Sequence, residues 1–502
     1  MIRRFVKHTL STQRQTCATI SRRSLCTHIH PKQSGEELDI GQPTPVNHPH
    51  LFNNNLECTP GITHDEYKTR RSNLMKVLIG TRGQDSKQHQ RHLVILTANE
   101  LKTMSNDIPY FFHQDVDFLY LTGLNEPNAI FVLEHSMASS NQTNFILFVQ
   151  PKDPKRELWD GAVVGEEAAV DFFKANEAFP LSSFSNVLKK RYGGKDWCVW
   201  TKQDINNVKN NSEISKTLKS KDFQSSSMKD IRTHIQKLRV VKSSSEATLL
   251  QTSASIASRA FKEAIRQTKP GDSESLTHSV LEFQCKAMGA QHLSFPPVVA
   301  GGNRANTLHY ICNNQLLKTS DLVLMDGGCV YHGYASDITR TWPVSGHFTE
   351  PQAKLYNIVL NVLKGCYAKC NTSSSLNSLH TVMLNLLGKE LQEIGLISSS
   401  LKKDSELQQA AVKFCPHHLG HYLGMDTHDC PLVQRGVPLK PGMAFTLEPG
   451  LYIPQDAVGV PREFRGIGIR IEDDVLMTEK GPLNLTRELP KEVEDIEKLT
   501  QM

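Results

Sequence analysis

Five short segments in the second half of the chain place an acidic residue or a histidine on a strand-like stretch, in most cases beside glycine. They are LVLMDGG at 322–328, SDITRT at 336–341, PHHLGHYLG at 416–424, MAFTLEPG at 443–450 and IRIED at 469–473. A single Asp-Gly-Gly or Glu-Pro-Gly is typical of a turn. Burying several carboxylates is costly without a compensating charge, so their joint occurrence indicates one shared site.

Local spacing predicts how several of these side chains are presented. The Gly327–Gly333 stretch allows a hairpin that would bring the aspartates of the first two segments together. His417 and His421 have the i, i+4 spacing of a zinc-binding helix, but the glycines of this segment disfavour a helix, so we predict an extended or looped backbone. Alternation along the fourth segment predicts that Glu448 points away from the apolar face.

Four carboxylates and one histidine form a ligand set that is mostly oxygen with one nitrogen. Such a set suits a pair of divalent metal ions bridged by carboxylates, and Mn, Co, Zn and Fe are all compatible with it. The thiol of Cys415, two residues before His417, is an alternative nucleophile. Nothing in its sequence context stabilises a thiolate, so a small buried cysteine is favoured there.

The first 31 residues are rich in arginine, serine and threonine, and they contain no acidic residue. They lack the continuous apolar stretch of a secretory signal, and this composition is typical of a mitochondrial transit peptide. The formal net charge of +5 arises in this leader, because removing its six basic residues leaves 51 basic against 52 acidic residues. We therefore expect neither nucleic acid nor an anionic membrane as a partner. The chain has no run of 18 apolar residues, so we predict no membrane insertion.

Between about residues 61 and 238 the chain alternates helical and strand-like patterns. Helical spacing covers 66–78, and short apolar runs at 92–96, 130–133 and 145–149 predict buried strands. Residues 32–60 are polar and rich in Asn, His and Pro, which predicts a linker. The Lys/Ser/Asn-rich segment 203–228 is predicted to be a loop or surface insertion. The alternation predicts a smaller α/β domain.

From residue 239 onward the order of the patterns changes. An amphipathic helix is predicted over 245–267, ended by Lys269-Pro270-Gly271, and a second one over 276–288. Strands follow from Phe295, and two more helices, at about 352–370 and 376–394, separate them from the last strands. Helices and then strands, twice over, predict an α+β domain.

With this order of motifs, the second half resembles the pita-bread metallopeptidases, the family of Xaa-Pro aminopeptidases, prolidases and methionine aminopeptidases. The resemblance implies two duplicated α+β halves around two divalent metal ions, with manganese the expected metal. It also implies the five metal ligands, which are Asp326, Asp337, His421, Glu448 and Glu472.

The same resemblance implies further site residues. Glu448, His428, His417 and His309 are expected to be catalytic, with Glu448 carrying a proton and His428 stabilising the oxyanion. Phe295 falls where the family often has tyrosine, so that hydroxyl is missing here. The expected substrate-binding residues are Phe295, His309, His428, Tyr452 and Arg470.

The first half resembles the amino-terminal domain of aminopeptidase P, which is not expected in methionine aminopeptidases. The matching stretches are SNDIPY at 105–110, DVDFLYL at 115–121, GLNEP at 123–127 and LWDG at 158–161. We therefore predict a transit peptide over 1–31, a linker over 32–60, an aminopeptidase P-like domain over 61–238 and a pita-bread peptidase domain over 239–502.

The resemblance implies a mitochondrial, homodimeric metallo-aminopeptidase that releases the amino-terminal residue from peptides, including those with proline second, and trims imported proteins. Its partner would be the amino terminus of a peptide or protein. One alternative is a prolidase that cuts only dipeptides. A metal-free creatinase-like hydrolase and a non-catalytic peptide-binding module on the same fold are disfavoured, because the full ligand set is present.

Overall fold

The computed structural model describes residues 39–81, 91–136, 143–202 and 212–501. The predicted transit peptide lies outside these ranges. No helix within them is long and apolar enough to span a membrane. The nine cysteines in the described ranges are all free thiols.

The amino-terminal region combines short helices with a six-stranded mixed sheet. Its helices are α1 (His64–Gly80), α2 (Val116–Thr122), α3 (Pro154–Asp160), α4 (Gly165–Asp171), α5 (Phe184–Tyr192), α6 (Ser212–Leu218) and α7 (Arg232–Arg239). Its strands are β1 (Glu57–Thr59), β2 (Ile62–Thr63), β3 (Arg91–Thr97), β4 (Thr103–Ser105), β5 (Ile108–Pro109), β6 (Ile130–Ser136), β7 (Thr143–Val149), β8 (Glu177–Pro180), β9 (Cys198–Thr201) and β10 (Ser227–Asp230). The order in the sheet is β10-β9-β3-β6-β7-β8.

Both faces of this sheet are buried, which explains the continuous apolar runs in its strands. Along β3, Val94 and Leu96 join the core that includes residues of α1. Leu93 and Ile95 point to the opposite face and join the core that includes residues of α5 and α6. The predicted α/β domain, with its strands at 92–96, 130–133 and 145–149, is therefore present, each strand being two or three residues longer.

Two polar segments are more ordered than their composition suggests. In the described part of the predicted linker, residues 39–60, Ile40 and Cys58 are buried in the core on the α1 side of the sheet. Residues 203–211 of the predicted surface loop lie outside the described ranges. The prediction is wrong for Ser212–Leu218, which form α6, and for residues 227–228, which begin β10, whereas residues 219–226 form turns between them. Ile214, Leu218 and Phe223 bury their side chains on the opposite face. Three apolar residues at suitable spacing were enough to anchor an otherwise polar stretch.

The second region contains longer helices around small antiparallel sheets. Its helices are α8 (Ser244–Gln267), α9 (Glu274–Ala287), α10 (Glu350–Lys369), α11 (Leu376–Glu393), α12 (Asp404–Ala411) and α13 (Val493–Gln501). Its strands are β11 (His292–Leu293), β12 (Val298–Gly301), β13 (Leu322–Gly327), β14 (Cys329–Tyr331), β15 (Tyr334–Ala335), β16 (Ile338–Pro343), β17 (Ala444–Leu447), β18 (Gly450–Ile453), β19 (Ile467–Arg470), β20 (Asp473–Thr478) and β21 (Gly481–Asn484).

Two separate hydrophobic cores divide this region into halves. The first core joins α8, α9 and α13 to strands of the β12-β13-β16 sheet. The second joins α10, α11 and α12 to the β17-β20-β21 sheet and the β18-β19 pair. The α+β prediction is confirmed, and each of the four helices it predicted lies within two residues of its expected bounds. The five acidic and histidine segments lie on the strands of the two halves or on the loops beside them.

Candidate metal centre

The hairpin between Asp326 and Asp337 forms as predicted. Strands β13 and β16 pair antiparallel, with Asp326 opposite Thr339. The chain between them reverses at His332 and Gly333, whose φ angles of 48° and 86° are both left-handed, as a tight hairpin turn requires. The two aspartates therefore project from adjacent strands within one half of the domain.

The segment 416–424 is not helical, and it runs beside β17. The N–H of Thr446 donates to the His421 carbonyl at 2.9 Å, and the N–H of His421 donates to the Thr446 hydroxyl at 3.2 Å. Gly420 allows this approach, because a Cβ added there would lie 2.0 Å from the Thr446 carbonyl oxygen. The predicted looped backbone is confirmed, and it places His421 near Glu448, which follows β17.

The structure brings the five predicted ligands to one cavity of about 660 Å³. His421 Nε2 lies 3.3 Å from Asp337 Oδ2 and 3.6 Å from Glu448 Oε1. Ligand atoms of Asp337, His421 and Glu472 all lie within 4.8 Å of one another. The carboxylates of both halves thus meet between the two cores.

Burial and mutual repulsion disfavour the charged forms of these carboxyls. Burial, followed by the charges of Asp326, Asp474 and Glu448, raises the pKa of Asp337 well above its usual range. Burial and the neighbouring acids raise the pKa of Glu472 in the same way. Burial also raises the pKa of Glu448. A cluster of this kind is stabilised by added positive charge.

The donor set fits divalent metal ions. Asp326 Oδ1 and Asp337 Oδ1 are buried and have no hydrogen-bond partner among the described residues. Unpaired buried carboxylate oxygens are costly unless a cation or a donor meets them. Four carboxylates with one imidazole supply the hard oxygen and intermediate nitrogen ligands that first-row divalent ions accept.

Arg470 and Thr339 hold two of the predicted ligand carboxylates in place through hydrogen bonds. Arg470 donates to Asp326 Oδ2 at 2.6 Å and to the Thr339 hydroxyl at 3.1 Å. Thr339 in turn donates to Glu472 Oε2 at 2.6 Å. Arg470 is thus the only one of the predicted substrate-binding residues that contacts a ligand carboxylate within the described chain. Sequence reasoning missed Thr339, although it lies in β16 only two residues after Asp337, a spacing that puts both side chains on one side of an extended chain.

His417 has partners for both ring nitrogens. Its Nδ1 lies 2.9 Å from the His418 carbonyl oxygen, so this nitrogen carries the proton and donates. Its Nε2 then accepts from the Tyr452 hydroxyl at 2.9 Å, and that hydroxyl accepts from Arg470 at 2.8 Å. Burial and the Arg470 charge lower the pKa of His417 to about 4, so the ring is neutral near pH 7.

Tyr452, expected to contact substrate, is buried behind His417 and Arg470 and is not among the residues that line the cavity. Cys415 is buried as well, and burial raises the pKa of its thiol to about 12. A thiol that stays protonated is a poor nucleophile, so the structure disfavours the thiol alternative.

His309, His428 and Phe295 line the cavity, as the resemblance implied. The His428 ring lies 4.3 Å from the His421 ring, measured between centroids. Burial, followed by the neighbouring His421 and His309, lowers the pKa of His428 to about 4. Its ring makes no hydrogen bond to the described residues, which leaves an N–H free to face a substrate.

Two charged residues of the cavity wall were missed. Asp426 and Arg435 both line it, and Arg435 also lines a neighbouring cavity of about 510 Å³. Both lie in irregular loops, where no periodic pattern marks the direction of a side chain. Only the position of Asp426 near the histidine segment hinted at its place.

Comparison with protein families gives two matches that follow the domain order. A model described as metallopeptidase family M24 matches residues 248–479. A model described as the amino-terminal domain of aminopeptidase P matches residues 67–200.

Similar proteins match along nearly the whole chain. Xaa-Pro aminopeptidase 3 of Homo sapiens is 42% identical over 487 residues, covering 96% of this chain and 95% of the relative. The mitochondrial intermediate cleaving peptidase 55 of Arabidopsis thaliana is 38% identical over 465 residues, covering 92% and 87%.

Solved structures share the architecture. Proline aminopeptidase P II from Yersinia pestis superposes with a TM-score of 0.80 at 32% identity, covering 88% of this chain and 100% of that one. Zn-substituted aminopeptidase P of E. coli, in complex with product, gives 0.79 at 31% identity, covering 88% and 98%. The predicted fold, a pita-bread domain preceded by a smaller α/β domain, is thereby confirmed.

Proposed function

The chain belongs to metallopeptidase family M24 and is a metal-dependent aminopeptidase, and from this premise we propose that it releases the amino-terminal residue of peptides of three or more residues, with proline accepted second. The observation that carries the proposal is the convergence of Asp326, Asp337, His421, Glu448 and Glu472 on one cavity. These five residues would hold two divalent metal ions. The mostly oxygen donor set supports manganese among the candidates.

Bound there, such ions would supply an acidified water and a positive charge for the scissile carbonyl oxygen. The protein contributes the remaining steps. The free amino group of a peptide offers a nitrogen lone pair that one such ion would accept as a ligand, which favours cleavage at the first residue. The Glu448 carboxylate, at the edge of the acidic cluster, accepts a proton from the attacking water and passes it to the leaving nitrogen.

The histidines divide into two roles. His309, His417 and His428 all line the cavity, and the neutral His428 ring donates to the oxyanion that develops on the carbonyl. His417 uses both ring nitrogens within the chain. We therefore assign it, with Tyr452, the task of holding Arg470 in place rather than that of a proton donor.

One wall of the cavity suits proline at the second position. Proline lacks the N–H by which an ordinary peptide is held, so its ring must be recognised by shape and apolar contact. Phe295, Pro296, Leu308 and Ile311 line the cavity on stretches adjoining β12 and supply an apolar surface. Phe295 packs against a ring without needing the hydroxyl that a tyrosine would carry.

We also propose that the protein acts in mitochondria. The acid-free, arginine-rich composition of residues 1–31 supports import into mitochondria. The relative from Arabidopsis thaliana is named as a mitochondrial intermediate cleaving peptidase. Trimming of newly exposed amino termini on imported proteins is the activity that both observations favour.

We also propose that two copies of the chain form a homodimer. Leu158 and Trp159 on α3 are 81% and 85% exposed, an unusual arrangement for two adjacent large apolar side chains. A second copy covering them would account for it. Light scattering of the purified protein measures the mass directly, and a mass equal to one chain would contradict this part of the proposal.

A peptide series separates the proposal from a prolidase. The metal-loaded enzyme should release the first residue from an Ala-Pro-Ala tripeptide and from longer Ala-Pro peptides. A prolidase would instead cleave only the Ala-Pro dipeptide. Product analysis by mass spectrometry distinguishes the two outcomes, and cleavage confined to the dipeptide would overturn the aminopeptidase assignment.

A further inference from the structure

A set of buried charged side chains connects the amino-terminal domain to a loop at the wall of the cavity. The Arg239 side chain, at the end of α7, is 3% exposed. Its guanidinium donates to Asp117 of α2 at 2.5 Å and also to Asp429. Lys242 donates to the other oxygen of Asp429 at 3.1 Å, and Lys202 lies 2.9 Å from Asp117. Each carboxylate of the set is thereby paired with two cations.

Asp429 belongs to the loop that carries His428. The N–H of Asp429 donates to the Tyr422 carbonyl at 2.9 Å, so residues 422–429 form a closed loop. Both ends of this loop lie beside the site, because His421 precedes it and the ring of His428 packs on the ring of His421. The contacts of Asp429 therefore anchor the backbone directly after His428.

A second pair of contacts reaches the same loop. Arg239 lies 3.5 Å from Asp426, which lines the cavity. His113, on the segment that leads into α2, lies 3.9 Å from the other oxygen of Asp426. The amino-terminal domain thus approaches the loop at two carboxylates, and Arg239 contacts both of them.

We propose that Asp117 and Arg239 are positioning residues, which let the amino-terminal domain hold the 422–429 loop so that His428 is presented to the peptide. The inference rests on the oxyanion role given to His428 in the proposed function. A guanidinium fork fixes the direction of two acids at once, whereas a lysine offers only a point charge. Buried ion pairs of this kind are weak evidence for net stability, which makes a geometric role the better account of their cost.

Asp117→Asn tests the proposal, because it keeps the shape of the side chain and removes its charge. We expect kcat on an Ala-Pro peptide to fall about 10- to 100-fold with KM changed less than threefold, since a misplaced group near the chemistry costs about this much. Hydrogen exchange should become faster in peptides covering 422–430, although the substitution lies in the other domain. Metal content should stay unchanged.

Two further variants distinguish a positioning role of Asp117 and Arg239 from a general loss of structure. Glu134→Gln removes a carboxylate that pairs with Arg191 and Tyr192 inside the amino-terminal domain, and it should leave kcat and the 422–430 exchange unchanged. Arg239→Lys keeps the positive charge but loses the two-pronged guanidinium. It should lower kcat and speed exchange in 422–430 as Asp117→Asn does, and it remains a test if Asp117→Asn folds poorly.

A double-mutant cycle gives the decisive readout. If Asp117 acts through His428, then Asp117→Asn should lower kcat far less in a His428→Ala background than in the wild type. An equal fold-loss in both backgrounds, or unchanged exchange in 422–430, would overturn the proposal. Failure of the proposed function has a different signature, because the metal-loaded wild type would then cleave no peptide while the exchange measurement still reports on the loop.

Discussion

His421 Nε2 lies 3.3 Å from Asp337 Oδ2, although the two residues sit in different halves of the catalytic domain. The hairpin β13–β16 presents the aspartate, and a looped segment beside β17 presents the histidine. The site is therefore made at the junction of the halves, and its assembly depends on both cores.

Removal of one central ligand should abolish metal binding and leave the fold intact. Asp337→Ala deletes a carboxyl whose pKa is raised by burial and by its acidic neighbours, so the metal-free variant loses a repulsive contact. We expect most of the bound metal to disappear from elemental analysis while the circular dichroism spectrum is unchanged. A chelator should lower the melting temperature of the wild type and leave that of the variant nearly constant. Full metal content in the folded variant would exclude a ligand role.

Loss of the His428 imidazole should affect turnover rather than binding. His428→Ala should lower kcat by about 10²-fold with a small change in KM, because an oxyanion contact forms only in the transition state. Steady-state kinetics on one peptide, with metal content measured in parallel, checks this. A variant that raises KM and keeps kcat would show that His428 only binds the ground state.

The interdomain charges should make stability depend on pH in the acidic range. Burial alone would raise the pKa of Asp117, but the charges of Arg239 and Lys202 outweigh burial and hold that pKa below its ordinary value. A depressed folded-state pKa gives stability that is present above the unfolded value of about 4 and is lost as pH falls through the folded value.

Metal-free wild type and Asp117→Asn should therefore differ in unfolding free energy by roughly 3 kcal/mol at pH 6. This difference in unfolding free energy should narrow as the pH is lowered from about 5 down through the depressed folded-state pKa of Asp117. Denaturant titrations at each pH measure it. A gap that stays constant over this range would show that the Asp117 charge does not contribute.

The predicted transit peptide should be sufficient for mitochondrial targeting without the rest of the chain. Residues 1–31 fused to a fluorescent protein should direct it to mitochondria, because their charge and composition are those of a transit peptide. Replacing the six basic residues with glutamine is the matched control and should leave the fusion in the cytosol. Cytosolic fluorescence from the unaltered fusion would contradict the proposed compartment.

Much of the fold was predictable where periodic patterns are long. Helix α8 was predicted over 245–267 and observed over Ser244–Gln267, because its apolar face is continuous and Lys269-Pro270-Gly271 ends it. The hairpin between Asp326 and Asp337 was predictable from its glycines. Helix α6 was not, since only Ile214 and Leu218 mark its buried face within a polar stretch.

The residues of the site could be predicted from the sequence, but the hydrogen bonds and ion pairs that hold them in place could not. The five ligands were implied by the resemblance to the pita-bread metallopeptidases, and all of them line one cavity. Side-chain hydrogen bonds between distant segments leave no local pattern, which is why the buried position of Tyr452 and the pairing of Arg239 with Asp117 emerged only in three dimensions. Long-range charge pairs of this kind depend on packing, and packing is not encoded in spacing alone.

We propose that the metal centre requires a free amino terminus on the peptide it cleaves. Two otherwise identical Ala-Pro peptides, one with a free amine and one acetylated, should be incubated with the metal-loaded enzyme, and their products quantified by mass spectrometry. We expect release of alanine from the free peptide and no cleavage of the acetylated one, because the amide nitrogen lacks the basic lone pair that would bind a metal ion of the site. Equal cleavage of both peptides would contradict it.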